Sequence, residues 1–179
     1  MPNESTHMDA CQARAAGITL VVMDVDGTLT DSAMYYSDSG EVLKRFTTRD
    51  GMGITLLHKA GIKTAIITSE NSEIVRRRAE KLRISEVVLG CHDKTAALIE
   101  MTQRLNTPLA SVAYIGDDVN DVHAMLISGF SGCPSDAVAA VRSVAHYACN
   151  ERGGHGAVRE FAEFILLSQK KAITLNEGW

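Results

Sequence analysis

Short apolar runs that alternate with helical patterns, several ending on acidic or hydroxyl residues, constrain the fold of this chain more than any other feature. Residues 18–23 lead into Asp24, residues 64–67 into Thr68 and Ser69, and Val112–Ile115 into Gly116 and Asp117. A short run at 86–89 and another at Phe130–Cys133 complete the set, the last expected on a sheet edge. Each has the length and near-continuous apolar character of a strand buried on both faces. Helical patterns fill the intervals, at 51–60, 72–82, 94–105, 121–128, 136–145 and Ala157–Ser168. Gly61 and Gly129 directly follow two of these helices and Pro108 soon follows a third, as helix stops do. The alternation predicts an α/β fold, a three-layer sandwich in which helices cover both faces of a central parallel sheet. Ligands of such sheets bind beyond the carboxyl ends of the strands, which is where the reactive residues of this chain collect.

One interval departs from the pattern. Residues 33–37 and 41–46 flank Asp38-Ser39-Gly40 and read as a small β-hairpin flap over about 33–46. The intervals 24–68 and 68–94 hold this hairpin, two helices and a short strand, with no room for a cap domain. Residues 1–16 are expected to form an N-terminal tail or short helix, the first eight of them polar and disordered. Residues 17–169 form the folded domain, and 170–179 a C-terminal tail that carries the only tryptophan, Trp179. That tail is expected near the active site of a neighbouring subunit.

A length of 179 residues, with 45% hydrophobic and 22% charged residues, suits one soluble globular domain. The net charge of -4 offers no basic track for nucleic acid, so a small anionic substrate must find positive charge locally. Cys11, Cys91, Cys133 and Cys149 are scattered without a C-x-x-C pair or zinc-like spacing, and are expected to be reduced. The run at 18–23 is too short for a signal sequence or a membrane span, so a cytoplasmic location is expected.

Asp24 and Asp26 place two carboxylates just past a buried strand, with Gly27 to turn the backbone. An aspartate there, screened by a metal, can attack phosphorus, and a carboxyl two residues on can protonate the leaving oxygen and then activate water. Thr68 and Ser69 offer hydroxyls and free N–H groups to a phosphoryl oxygen. Lys94, opening a helix, can offset charge on both phosphate and Asp24. The loop Gly116-Asp117-Asp118-Val119-Asn120-Asp121 supplies hard oxygen ligands of the kind magnesium takes.

Together these four groups resemble the haloacid dehalogenase superfamily over about residues 18–168. The resemblance implies that Asp24 is a nucleophile forming an aspartyl-phosphate and that Asp26 is the general acid/base. It makes Thr68 the phosphate-binding hydroxyl and Lys94 the charge-balancing lysine. It also implies Mg2+ held by the Asp24 side chain, the Asp26 backbone carbonyl and Asp117, with Asp121 outside them. Phosphatases of the superfamily carry the second aspartate and dehalogenases lack it, so Asp26 marks a phosphatase.

The absence of room for a cap resembles the capless branch, in which subunits cover one another's sites and the hairpin builds a homotetramer. Residues 44–51 and the glycine-rich 153–160 resemble two stretches of the 2-keto-3-deoxy-sugar-acid phosphatases. The first brings Arg49 in as a substrate-binding candidate, and His155 in the second is more a surface residue than a substrate contact. Within that group the sequence Thr68-Ser69-Glu70-Asn71, followed by Arg78 and Lys81, resembles the enzymes acting on nine-carbon substrates, 2-keto-3-deoxynononate or N-acylneuraminate 9-phosphate. Ser69, Glu70, Arg78 and Lys81 are then expected to contact substrate, Arg78 and Lys81 from one helical face toward a neighbouring site. The eight-carbon ester 3-deoxy-D-manno-octulosonate 8-phosphate, on the route to lipopolysaccharide, ranks second. Three rivals have less support: a receiver-type signalling domain, whose aspartate would sit on the third strand; a non-catalytic, oligomer-forming module of the same fold; and a broad housekeeping phosphatase.

Overall fold

The computed structural model describes residues 4–175. Its main sheet has six strands, all parallel, in the order β5-β4-β1-β6-β7-β8. The strands are β1 (Leu20–Met23), β4 (Lys63–Ile67), β5 (Glu86–Val88), β6 (Val112–Ile115), β7 (Phe130–Cys133) and β8 (Tyr147–Ala148). Strands β2 (Tyr35–Ser37) and β3 (Gly40–Leu43) pair antiparallel as the separate hairpin.

Period-two alternation distributes each central strand between two cores. Val21 and Met23 of β1, with Ala113 and Ile115 of β6, pack against α1 (Glu4–Ala15), α2 (Thr48–Lys59), α3 (Glu73–Leu82) and α7 (Ala157–Ser168). Leu20 and Val22, with Val112 and Tyr114, pack against α4 (Lys94–Arg104), α5 (Val122–Ile127) and α6 (Ala139–Val144). All four β1 side chains are buried, and each contributes about 1.5–3 kcal/mol by leaving water. A sheet apolar on both faces needs helices on both, and this chain supplies them. No cap domain is inserted among the described residues.

Two expectations are corrected. β7 is not an edge strand, because Gly132 and Cys133 pair with Tyr147 and Ala148 of β8. With two residues, β8 is too short to show any periodicity. The N-terminal helix begins at Glu4 and buries Cys11 and Ala15 against the sheet, so residues 4–8 are helical rather than disordered.

The C-terminal segment docks at the amino ends of the strands. The Gln169 side-chain amide donates to the Ala15 and Ile18 carbonyls, Lys171 donates to the Ala60 carbonyl, and Ile173 and Leu175 pack on the first core. Within the chain this is the end of the sheet away from Asp24. Trp179 lies outside the described residues. Among the described residues no helix is long and apolar enough to cross a membrane.

Candidate active site

The chain runs from β1 outward to β4 and β5, then crosses back to β6 on the other side of β1. The carboxyl ends of β1 and β6 are therefore the switch point of the sheet, where a crevice opens. Asp24 and Asp117 stand there side by side, and the Asp24 N–H still donates to the Ile115 carbonyl at 3.0 Å.

Lys94, the first residue of α4, has its side chain 1% exposed. Its Nζ lies 2.6 Å from Asp24 Oδ1 and 2.7 Å from Asp121 Oδ1. Burial alone would pull the ammonium pKa down; the two carboxylates outweigh it and hold Lys94 charged. Asp121 is saturated with donors. Its Oδ1 also accepts from the Tyr114 hydroxyl at 2.9 Å, and its Oδ2 accepts from the N–H groups of Asp117 and Asp118. Asp117 Oδ1 accepts from Thr28 Oγ1 at 3.0 Å. At Gly27 the backbone takes φ +97°, and a β-carbon there would fall on the Asp117 carboxylate. Glycine is thus required for the Asp loop and Asp117 to meet.

The cluster is short of positive charge. Asp24, Asp117 and Asp121 place carboxylate oxygens within 4.8 Å of one another, around a single lysine. Burial first, then the Asp121 charge, push Asp24 well above the usual carboxylate range. The same two causes push Asp117 up to about 7. A divalent cation fits this donor set, with hard oxygens only and a local charge deficit that one ion would fill. Since the donors to Asp121 already occupy both its oxygens, the free ligand atoms are those of Asp24 and Asp117.

A pH dependence follows. A carboxyl raised in the folded chain makes the native state bind more protons than the unfolded chain between about pH 4, its ordinary value, and about 7. Stability without metal then falls as pH rises through that window. We expect the melting temperature in chelator to be lower at pH 8 than at pH 5.5, and magnesium to raise it most at pH 8. A chelated protein that becomes more stable toward pH 8 would contradict the charge deficit.

The other candidates fall into three groups. Thr68 is buried at the end of β4, and its Oγ1 accepts from the Glu70 N–H at 3.4 Å. Ser69 Oγ accepts from Asn120 Nδ2 at 3.1 Å, which ties the β4 loop to the β6 loop, while Glu70 is exposed at the same rim. The Asp26 carboxylate accepts from Lys44 Nζ at 2.6 Å. The third group is not brought to Asp24 within the chain. Arg49 is exposed at the first turn of α2, near Glu151 and Gly156. Arg78 lies over the Phe46 ring and donates to the Thr47 carbonyl at 3.1 Å. Lys81, one turn on, lines a surface cavity with Thr55, His58 and Lys59 toward the opposite end of the sheet. His155 is exposed, 3.3 Å from Arg45 Nη1.

Sequence reasoning missed the buried Lys44, and also Asp50, which joins the two signature stretches. Asp50 Oδ1 accepts from the Arg159 N–H at 2.9 Å, capping α7, and burial pushes its carboxyl up to about 6. The glycine-rich stretch itself packs on the Asp loop, with the Gly154 N–H donating to the Thr28 carbonyl at 3.0 Å. Gly154 sits at φ +65°, and any side chain there would meet the Thr30 backbone.

A parallel sheet with Asp24, Asp26, Thr68, Lys94 and Asp117 at its carboxyl ends defines a haloacid dehalogenase-type, metal-dependent phosphoric monoester hydrolase. The haloacid dehalogenase-like hydrolase family matches over residues 43–129. The 3-deoxy-D-manno-octulosonate 8-phosphate phosphatase KdsC of Yersinia pestis is 41% identical over 158 residues, 88% of this chain and 84% of its own length. A crystal structure of the corresponding phosphatase of Moraxella catarrhalis, in complex with magnesium ion, phosphate ion and a KDO molecule, superposes with TM-score 0.89 at 41% identity, covering 92% of this chain and 94% of that one. The cobalt-bound Haemophilus influenzae phosphatase superposes with TM-score 0.86 at 36% identity, over 88% and 92%. The chain belongs to the 3-deoxy-D-manno-octulosonate 8-phosphate phosphatase family of haloacid dehalogenase-like hydrolases.

Proposed function

We propose that the chain hydrolyses 3-deoxy-D-manno-octulosonate 8-phosphate, with magnesium, through an aspartyl-phosphate on Asp24. The identity of 41% to the Yersinia pestis enzyme over 88% of the chain carries this reading. It reverses the order in which the sequence alone ranked the eight- and nine-carbon esters. The case for nine carbons rested on Glu70, which is exposed at the rim of β4, and on Lys81, which was expected to reach the site of a neighbouring copy.

A carboxylate oxygen of Asp24 attacks phosphorus, and the bond from phosphorus to the sugar oxygen breaks. Lys94 offsets the charge that gathers on the phosphoryl group, which the Thr68 hydroxyl and the neighbouring N–H groups hold. Asp26 gives its proton to the departing sugar hydroxyl, then takes one from the water that attacks the acyl phosphate. That second attack breaks the bond to Asp24, restores its carboxylate and frees inorganic phosphate. Asp24, Asp117 and the Asp26 carbonyl would hold magnesium, whose charge, when bound, lets one anion approach another.

The hairpin supports assembly into a homotetramer. Met34, Tyr35, Tyr36, Val42 and Leu43 are all exposed on it, a cluster that a lone chain would leave in water. Sedimentation of the chain as a monomer would remove this part of the reading. A cytoplasmic location belongs to the same proposal.

The test is initial-rate phosphate release from the eight- and nine-carbon esters, with magnesium and with chelator. We expect kcat/KM to favour the eight-carbon ester by about tenfold or more and chelator to stop release from both. Preference for the nine-carbon ester would overturn the substrate assignment, and chelator-resistant release would overturn the metal.

A further inference from the structure

Lys44 is the most unusual cation outside the Asp24 cluster. It follows β3 directly, and its side chain is 0% exposed. Its Nζ lies 2.6 Å from Asp26 Oδ1 and 2.7 Å from Glu41 Oε1, and Glu41 Oε2 accepts from Ser72 Oγ at 2.6 Å. Ser72 is the residue before α3, so a chain of four polar groups joins the Asp loop, the hairpin base and the α3 entrance. Lysine almost never goes fully buried without a specific partner, and here it has two. Burial would lower its pKa; Asp26 and Glu41 together raise it, so the ammonium stays charged.

The two oxygens of Asp26 are unequal. Oδ1 takes the Lys44 bond and a long 3.5 Å contact from the Thr30 hydroxyl, whereas Oδ2 is buried with no partner. A buried carboxylate oxygen without a partner is costly unless it has work to do.

We propose that Lys44 is a positioning residue for Asp26: it clamps Oδ1, fixes the carboxyl rotamer, and leaves Oδ2 as the oxygen that carries the proton to and from the reacting groups. This rests on Asp26 acting as the general acid/base, as described under Proposed function. Through Glu41 the same clamp makes the seating of the hairpin a condition of Asp26 geometry.

The experiment measures kcat and KM for Lys44→Met, Lys44→Arg, Asp26→Asn and the Lys44→Met/Asp26→Asn double variant. Two substrates are compared, the sugar 8-phosphate and p-nitrophenyl phosphate, whose phenolate leaves without a proton. Lys44→Met is expected to lower kcat on the sugar ester about 100-fold, at the lower end of what general acid–base catalysis contributes, with KM nearly unchanged. With p-nitrophenyl phosphate it should still give a first-turnover burst, followed by slow hydrolysis of the acyl phosphate. Lys44→Arg should recover part of kcat. In the Asp26→Asn background Lys44→Met should cost almost nothing more, because the group it positions is gone. Equal loss of burst and steady state, or full multiplicative loss in the double variant, would overturn the role of Lys44. Full activity of Asp26→Asn alone would instead overturn the acid–base assignment beneath it.

Discussion

Asp24→Asn is expected to cut turnover of the sugar phosphate by about 10^4-fold or more while leaving the chain at least as stable as before. Under the proposed mechanism the loss follows from removing the nucleophilic oxygen; replacing the nucleophile of a covalent enzyme costs on that order. The stability gain follows from electrostatics. Burial and the Asp121 charge hold the Asp24 carboxyl well above its ordinary range, so its ionised form is paid for in folding free energy at neutral pH. The amide keeps the shape and removes the charge, and Lys94 keeps Asp121 as its partner. Opposed changes in activity and stability are the signature of a functional site built against stability. The check is kcat together with melting temperature in chelator at pH 8. A variant that is both inactive and markedly less stable would mean that Asp24 serves the fold.

Lys94→Met should fail in both respects. Removing the buried ammonium leaves Asp24, Asp117 and Asp121 facing one another without a fixed cation. Breaking a buried ion pair by deleting one partner costs about 3–5 kcal/mol. Turnover is expected to fall by about 100-fold or more, since the phosphoryl charge also loses its local counter-ion. Magnesium, or a pH below 7, should restore part of the stability and none of the activity at saturating substrate. Chemical denaturation with and without magnesium, at pH 6 and pH 8, measures the first claim. A Lys94→Met variant of unchanged stability in chelator at pH 8 would contradict the account of Lys94 as the fixed cation shared by Asp24 and Asp121.

Much of this arrangement is legible in the sequence because it is local. Val112–Ile115 and Ala157–Ser168 are bounded as the apolar patterns predict, and Asp24, Thr68, Lys94 and Asp117 stand at strand or helix ends where alternation puts them. What escaped depends on packing. Lys44 sits in a stretch of exposed and charged residues, and nothing in its neighbours signals burial; only the closing of the hairpin onto the Asp loop hides it. Asp50 lies in the first turn of α2, where acidic residues are ordinary, yet it caps a helix more than 100 residues away. The pair β7–β8 needed a two-residue strand that no periodicity can announce. Arg78 and Lys81 share a helix face by spacing, but spacing says nothing of what that face meets: one covers Phe46, the other a cavity far from Asp24.

The most direct measurement is chemical trapping of the intermediate. Enzyme turning over the sugar 8-phosphate with magnesium is quenched in acid and reduced with borohydride, which converts an acyl phosphate of aspartate to homoserine; peptide mass spectrometry then locates it. The account predicts homoserine at position 24 and at no other aspartate, and none when substrate or magnesium is omitted. Rapid phosphate release with aspartate intact at position 24 under conditions that trap the intermediate would contradict it and point to direct attack by water.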